Sequence, residues 1–100
     1  MTTTISNNGD QQVVTMVGQL DTLAAVETEK ELQPVFESTS TDVLIDCTEL
    51  AYIASSGLRL FLALLKAVKA RGGKVTLKGV NDDILNVFKV TGFNALFDFA

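Results

Sequence analysis

Two adjacent serines followed by a glycine, Ser55-Ser56-Gly57, are the residues of this 100-residue chain best suited to chemistry. A serine hydroxyl can act as a nucleophile when a nearby base takes its proton, or it can accept a phosphoryl group. The first use needs a base, and the chain has no histidine. Lys66 and Lys69 could pair with a serine in principle, but no motif ties either of them to Ser55. Gly72-Gly73 lacks the Gly-Lys-Ser/Thr ending of a phosphate-binding loop. Asp42, Asp46, Asp82 and Asp83 do not fall in a calcium-loop pattern. With no histidine and one cysteine, zinc sites of the Cys/His kind are excluded as well. The chain does not read as an enzyme, and no metal or cofactor is expected.

The second use of a serine needs only exposure and a tolerant surrounding. Serine is a strong N-cap residue because its oxygen accepts from an unpaired amide of the first helical turn. The sequence places Ser55 at that position, opening a helix from Ser56 to about Ala70, with Arg59 four residues on. A phosphate there would add about −1.5 to −2 charges, which the helix dipole and Arg59 accommodate. A partner docked over the same surface would instead meet a new dianion. On this assignment Ser55→Ala costs roughly 1 kcal/mol through the lost cap. An ordinary helix start needs the same three residues, so on these residues alone both readings stand.

Composition narrows the partners. Lys plus Arg number 8 against 12 Asp plus Glu, a net charge of −4, and no basic block offsets it, which argues against nucleic acid. The polar N-terminus has no basic n-region or apolar h-region, so no secretory signal is expected. No apolar run approaches the roughly 20 residues of a membrane-spanning helix, so membrane insertion is not expected. A single cysteine suits a reducing cytoplasm, and Cys47 reads as a small core hydrophobe.

The elements that must hold the serines alternate. Thr2 to Ser6 and Gln12 to Gln19 read as a hairpin around the Asn7-Asn8-Gly9-Asp10 turn, with Val14 and Met16 on one face. Asp21 is the N-cap of a helix from about Thr22 to Glu37, with Leu23, Val26, Leu32, Val35 and Phe36 on its apolar side and a break expected at Pro34. Val43 to Cys47 is a continuous apolar run that suits a strand buried on both faces. In the second helix Leu58, Phe61, Leu62, Leu65 and Val68 form one stripe, widened by Leu60 and Leu64. Arg59, Ala63, Lys66 and Ala67 remain on the side a partner could approach. Gly72 ends that helix, Lys74 to Lys78 alternates as a strand, Asn81 caps a third helix that ends at Gly92, and Phe93 to Phe99 suggests a short last strand. Residues 1–100 thus form one α/β domain, a mixed sheet of four to five strands packed against about three to four helices.

Several pieces, in this order and spacing, resemble the STAS domain, and in particular the bacterial anti-sigma factor antagonists. They are Gly18-Gln19-Leu20-Asp21, Val43-Leu44-Ile45-Asp46, Leu50-Ala51-Tyr52-Ile53, Ser55-Ser56-Gly57-Leu58, Gly72-Gly73-Lys74-Val75 and Phe88-Lys89-Val90-Thr91-Gly92-Phe93. The resemblance implies a partner-switching role. The unmodified antagonist binds an anti-sigma factor that is also a serine/threonine kinase. Phosphorylation of the first serine of an Asp-Ser-Ser/Thr-Gly motif releases it, and a cognate phosphatase restores binding. Carried onto this sequence, the acceptor is Ser55, flanked by Ser56 and Gly57, and Asp21 matches the acidic residue of the neighbouring loop. Ala54 stands where the motif has aspartate. That departure keeps an alternative open, a STAS subunit without a phospho-switch in a larger assembly such as a lipid-transport ABC complex.

Overall fold

The computed structural model describes residues 1–100. Strands β1 (Thr2–Asn8) and β2 (Gln11–Leu20) form an antiparallel hairpin closed by Gly9-Asp10, where Gly9 takes a φ of 64° that side chains resist. Helix α1 (Thr22–Glu31) and the single turn α2 (Gln33–Phe36) lead to β3 (Asp42–Ile53). Helix α3 (Ser55–Ala70), strand β4 (Val75–Lys78), helix α4 (Asp82–Thr91), a 3-10 turn (Phe93–Ala95) and β5 (Asp98–Phe99) complete the chain. The five strands stand in sequence order, and every pair after the first is parallel.

That order has a consequence. Each β-α-β unit steps the same way across the sheet, so right-handed crossovers place the helices on one face. Alpha1 and α3 pack together, and Phe61 of α3 meets Phe88 of α4 with ring centroids 6.2 Å apart. The core lies between this helical layer and the sheet: Val14 and Met16 from β2, Val43, Ile45 and Cys47 from β3, and Val75 and Leu77 from β4. The opposite sheet face carries Val13, Thr15, Leu44, Asp46 and Thr76, all half-buried. The expectation of a β3 buried on both faces is therefore corrected. Leu44 made the run look continuous, but only its odd-numbered neighbours enter the core. Asp46 shows the wetter side: Thr48 donates to its Oδ1 through its hydroxyl at 2.6 Å and its amide at 3.0 Å, and these bonds hold the carboxyl below its ordinary pKa. Beta3 also runs further than expected, through Thr48–Ile53, with register shifts against β2 near Val17 and Gln19.

The expected break at Pro34 is present. Alpha1 ends at Glu31, Leu32 caps it, and Pro34 falls in the first turn of α2, where a missing amide costs nothing. The inward face of α1 is not the expected one. Leu23 and Val26 are 72% and 52% exposed, while Ala25 and Thr28 are buried, followed by Leu32 and Val35. Small residues face α3 and let the two helices approach closely. Arg71, just past α3, anchors the α2–β3 loop: its Nε donates to the Ser40 carbonyl at 2.6 Å and its Nη1 to that of Val35 at 3.0 Å. Burial of this guanidinium lowers its pKa. Cys47 is buried in the core, and desolvation, then Asp46, push its thiol up to about 12, so it stays protonated and inert at neutral pH.

Candidate functional site

The site is the pair of loops at the carboxyl ends of β2 and β3. Strand β2 ends at Leu20 and strand β3 at Ile53, and these two residues pair in register. The chain leaves both together, because the Ala54 amide donates to the Leu20 carbonyl at 2.9 Å. Asp21 follows one partner of that bond and Ser55 the other, so the sheet itself sets the two loops side by side. Asp21 caps α1 as expected, its Oδ1 accepting from the Ala24 amide at 2.8 Å.

Ser55 does not cap α3. The N-cap is Ala54, with extended angles of φ −85° and ψ 168°, and it makes no side-chain cap bond. Ser55 is the first helical residue, so the helix starts one residue earlier than the sequence suggested. It is exposed at the positive end of a 16-residue helix that has no side-chain cap bond. The expected cost of Ser55→Ala changes accordingly. It should shift stability by no more than about 0.5 kcal/mol, as at an ordinary surface position. Ala54→Asp, by contrast, would supply the missing acceptor and a favourably placed charge. It is expected to raise unfolding free energy by about 1 kcal/mol in a urea titration. No gain would mean that the first-turn amides have other partners.

Gly57 has a steric reason to be glycine. It is buried in the first turn of α3, and a Cβ built there would lie 2.9 Å from Leu20 and from Ile53, the last residues of the two strands. The absence of a side chain is what lets the helix start press onto the strand ends. Gly57→Ala gains about 1 kcal/mol of helix propensity but overpacks a closed site at about 1–3 kcal/mol. It should lower the denaturation midpoint, and an unchanged or higher midpoint would show that the contact relaxes freely. Ser56 is half-buried, and its Oγ is enclosed without a hydrogen-bond partner.

The remaining expected residues follow one another along α3. Arg59 and Ala63 are exposed and, with Ser56, line a groove of about 220 Å³ against Ala25, Val26 and Glu29 of α1. Lys66 is exposed about two turns beyond Arg59 and borders a different hollow. Ala67 is half-buried and lines neither. The structure thus gathers Ser55, Ser56, Gly57, Asp21, Arg59 and Ala63 at one end and does not gather Lys66 or Ala67 with them. It also adds surface residues, two of which the sequence pattern had assigned to the inward side of the first helix. Leu23 and Val26 on α1, and Tyr52, 50% exposed, at the end of β3, present apolar surface on the elements that flank Ser55. For α1 a signal was available: Ala25, Thr28, Leu32 and Val35 recur at helical spacing and turn Leu23 and Val26 outward. No cluster of metal-ligating side chains is present. No helix is long and apolar enough to cross a membrane.

This arrangement can be placed among known proteins. A family model described as Mlab, STAS domain, matches residues 3–98. The anti-sigma-B factor antagonist of Staphylococcus aureus is 32% identical over 79 residues, 79% of this chain and 73% of that protein. The Bacillus subtilis protein of the same name is 27% identical over 94 residues, 94% of this chain and 85% of that protein. Among solved structures, a putative anti-sigma factor antagonist from Thermotoga maritima superposes with a TM-score of 0.89 at 15% identity, over 97% of this chain and 84% of that one. The anti-sigma factor antagonist SpoIIAA in its unphosphorylated form gives 0.78 at 18%, over 99% and 87%. The Bacillus cell fate determinant SpoIIAA in its phosphorylated form gives 0.77 at 20%, over 99% and 91%. The single sheet with its helical layer, the paired strand ends and a family match over nearly the whole chain lead to one assignment: this protein belongs to the STAS domain family.

Proposed function

We propose that this protein is an anti-sigma factor antagonist, a cytoplasmic partner-switching regulator. Unmodified, it binds an anti-sigma factor that is also a serine/threonine kinase. Phosphorylation of Ser55 releases it, and a phosphatase resets the cycle. The observation that carries this reading is the position of Ser55. It is exposed at the positive end of α3, between elements that present Leu23, Val26 and Tyr52 to solvent. Such apolar side chains supply binding energy, and a dianion at the helix start beneath a docked partner would have to be desolvated in the complex. Asp21 borders the site and Arg59 is one turn along. The names of the relatives point the same way.

The fold positions the acceptor without catalysing anything itself. No histidine exists to activate the Ser55 hydroxyl, so the bound kinase must supply the base and the phosphoryl donor. After transfer, the helix dipole and Arg59 offset the new charge within the domain. The fold then survives while the interface is lost. The test is a complex with the anti-sigma kinase of the same cells, challenged with ATP or a non-hydrolysable analogue. ATP alone should dissolve the complex, and Ser55→Ala should keep it intact in both. Dissociation of the Ser55→Ala complex by ATP would refute the assignment of the acceptor.

A second reading rests on Ala54. Without a carboxylate there, a kinase that reads the motif loses a contact, and the family model that matches this chain carries the name Mlab. On that reading the same surface holds one constitutive partner within a larger assembly. Co-purification with a permease and an ATPase, unaffected by ATP, would favour it.

A further inference from the structure

The basic residues of this acidic chain are not spread evenly. Between Glu49 and Asp82 there is no carboxylate at all, while Arg59, Lys66, Lys69, Arg71, Lys74 and Lys78 all fall there. Six of the 8 basic residues therefore sit on α3, β4 and their links. Alpha3 itself carries three cations and no acid.

On the flank of α3 away from α1, these charges border an apolar hollow. Leu62, Leu65, Lys66, Lys69, Ala70 and Leu96 enclose about 500 Å³ between the second half of α3 and the turn after α4. Leu96 leaves 45% of its surface in water. A second hollow of about 370 Å³ shares Leu65, Lys69 and Leu96 and extends the groove towards Lys74, with Asp98 the one carboxylate against the two lysines of its lining. The lining residues on α3 recur every three to four positions, so the trough runs along the helix axis. Apolar floor, cationic rim and a helical repeat are the features that receive an amphipathic helix. A flat anionic bilayer would not fill a concave trough, and the few lysines bordering it fall short of a polybasic patch.

We propose that this groove is a second docking surface, which takes an amphipathic helix of a partner protein bearing leucine-type residues at three- and four-residue spacing, flanked by Asp or Glu. It lies on the flank of α3 away from the groove that Ser56, Arg59 and Ala63 form with α1, and does not depend on the phospho-switch. A trough this short makes a small interface, so micromolar affinity is expected.

The probe is a lactam-stapled peptide of about 18 residues with Leu at that spacing and Glu on both sides, long enough to span the groove. Binding to the full chain is read by fluorescence anisotropy and mapped by amide shifts in a 15N-labelled sample. The expected result is micromolar binding with shifts centred on Leu62, Lys69 and Leu96. The Lys66→Glu/Lys69→Glu double variant should weaken it at least tenfold, and Lys89→Glu, the same charge change on α4, should not. Circular dichroism verifies that each variant is folded. Equal binding of a Lys-flanked peptide, or shifts centred on Val26 and Ser55, would overturn the proposal. So would binding of phosphatidylglycerol vesicles but not peptide, or self-association through this face in sedimentation. No binding at millimolar peptide would overturn it too.

Discussion

Ser55→Glu is expected to weaken binding to the proposed anti-sigma kinase partner by a hundredfold or more while leaving the domain folded. The two halves of that statement have different causes. Within the free protein the new carboxylate sits on the first residue of α3, where the unpaired amides and the dipole favour a negative charge. Unfolding free energy should therefore stay the same or rise by a few tenths of a kcal/mol. In the complex the same carboxylate would be covered by a partner seated on the helix start, and stripping its water without a designed partner costs a few kcal/mol. About 2.7 kcal/mol is already a hundredfold in Kd. Calorimetric titration of wild type and variant measures the ratio. An unchanged Kd would mean that the partner does not cover Ser55.

The largest expected loss of stability is at Phe88. It is fully buried, and its ring lies 6.2 Å from Phe61, 5.5 Å from Phe97 and 6.0 Å from Phe99, the last two edge-on. This cluster fastens α4 and the C-terminal strand to α3. Phe88→Ala removes a large buried ring and leaves a cavity, at about 3–5 kcal/mol. A domain of this size has about 5–15 kcal/mol in total, so the variant should be partly unfolded near body temperature. Phe88→Leu should keep much of the packing and cost less. Denaturant titrations of both give the comparison. A loss below about 1 kcal/mol for the alanine variant would show that β5 and the turn before it do not close the core as described.

What was legible in the sequence was local. Asp21, Asn81 and Gly92 announced helix ends because capping depends on a few neighbouring atoms, and each sits at the expected helix end, with the Asn81 side chain accepting from the Ile84 amide at 2.8 Å. Pro34 broke its helix for an equally local reason. The errors arose where tertiary packing decides. Leu23 and Val26 look like core residues in a helix, but α3 lies close enough that only Ala25 and Thr28 fit between. Leu44 looks buried, but no helix covers that face of the sheet. Ser55 looks like a cap, yet the Ala54 amide is bonded to the Leu20 carbonyl, Ala54 itself is the extended N-cap, and the helix starts one residue earlier, at Ser55. In each case side-chain type was read correctly and its surroundings were not. The close fit of Gly57 against Leu20 and Ile53 belongs to the same class, since a glycine in a helix shows its purpose only once the strands beneath it are in place.

The central claim is that Ser55 is a phosphoacceptor, and the intact mass of the protein purified from its own cells tests it most directly, with peptide mapping across Ile53 to Lys66. The expected result is a fraction heavier by one phosphate, located on Ser55, whose share changes between growth and stress. A protein uniformly unmodified under both conditions would contradict it and leave the constitutive subunit as the reading to pursue.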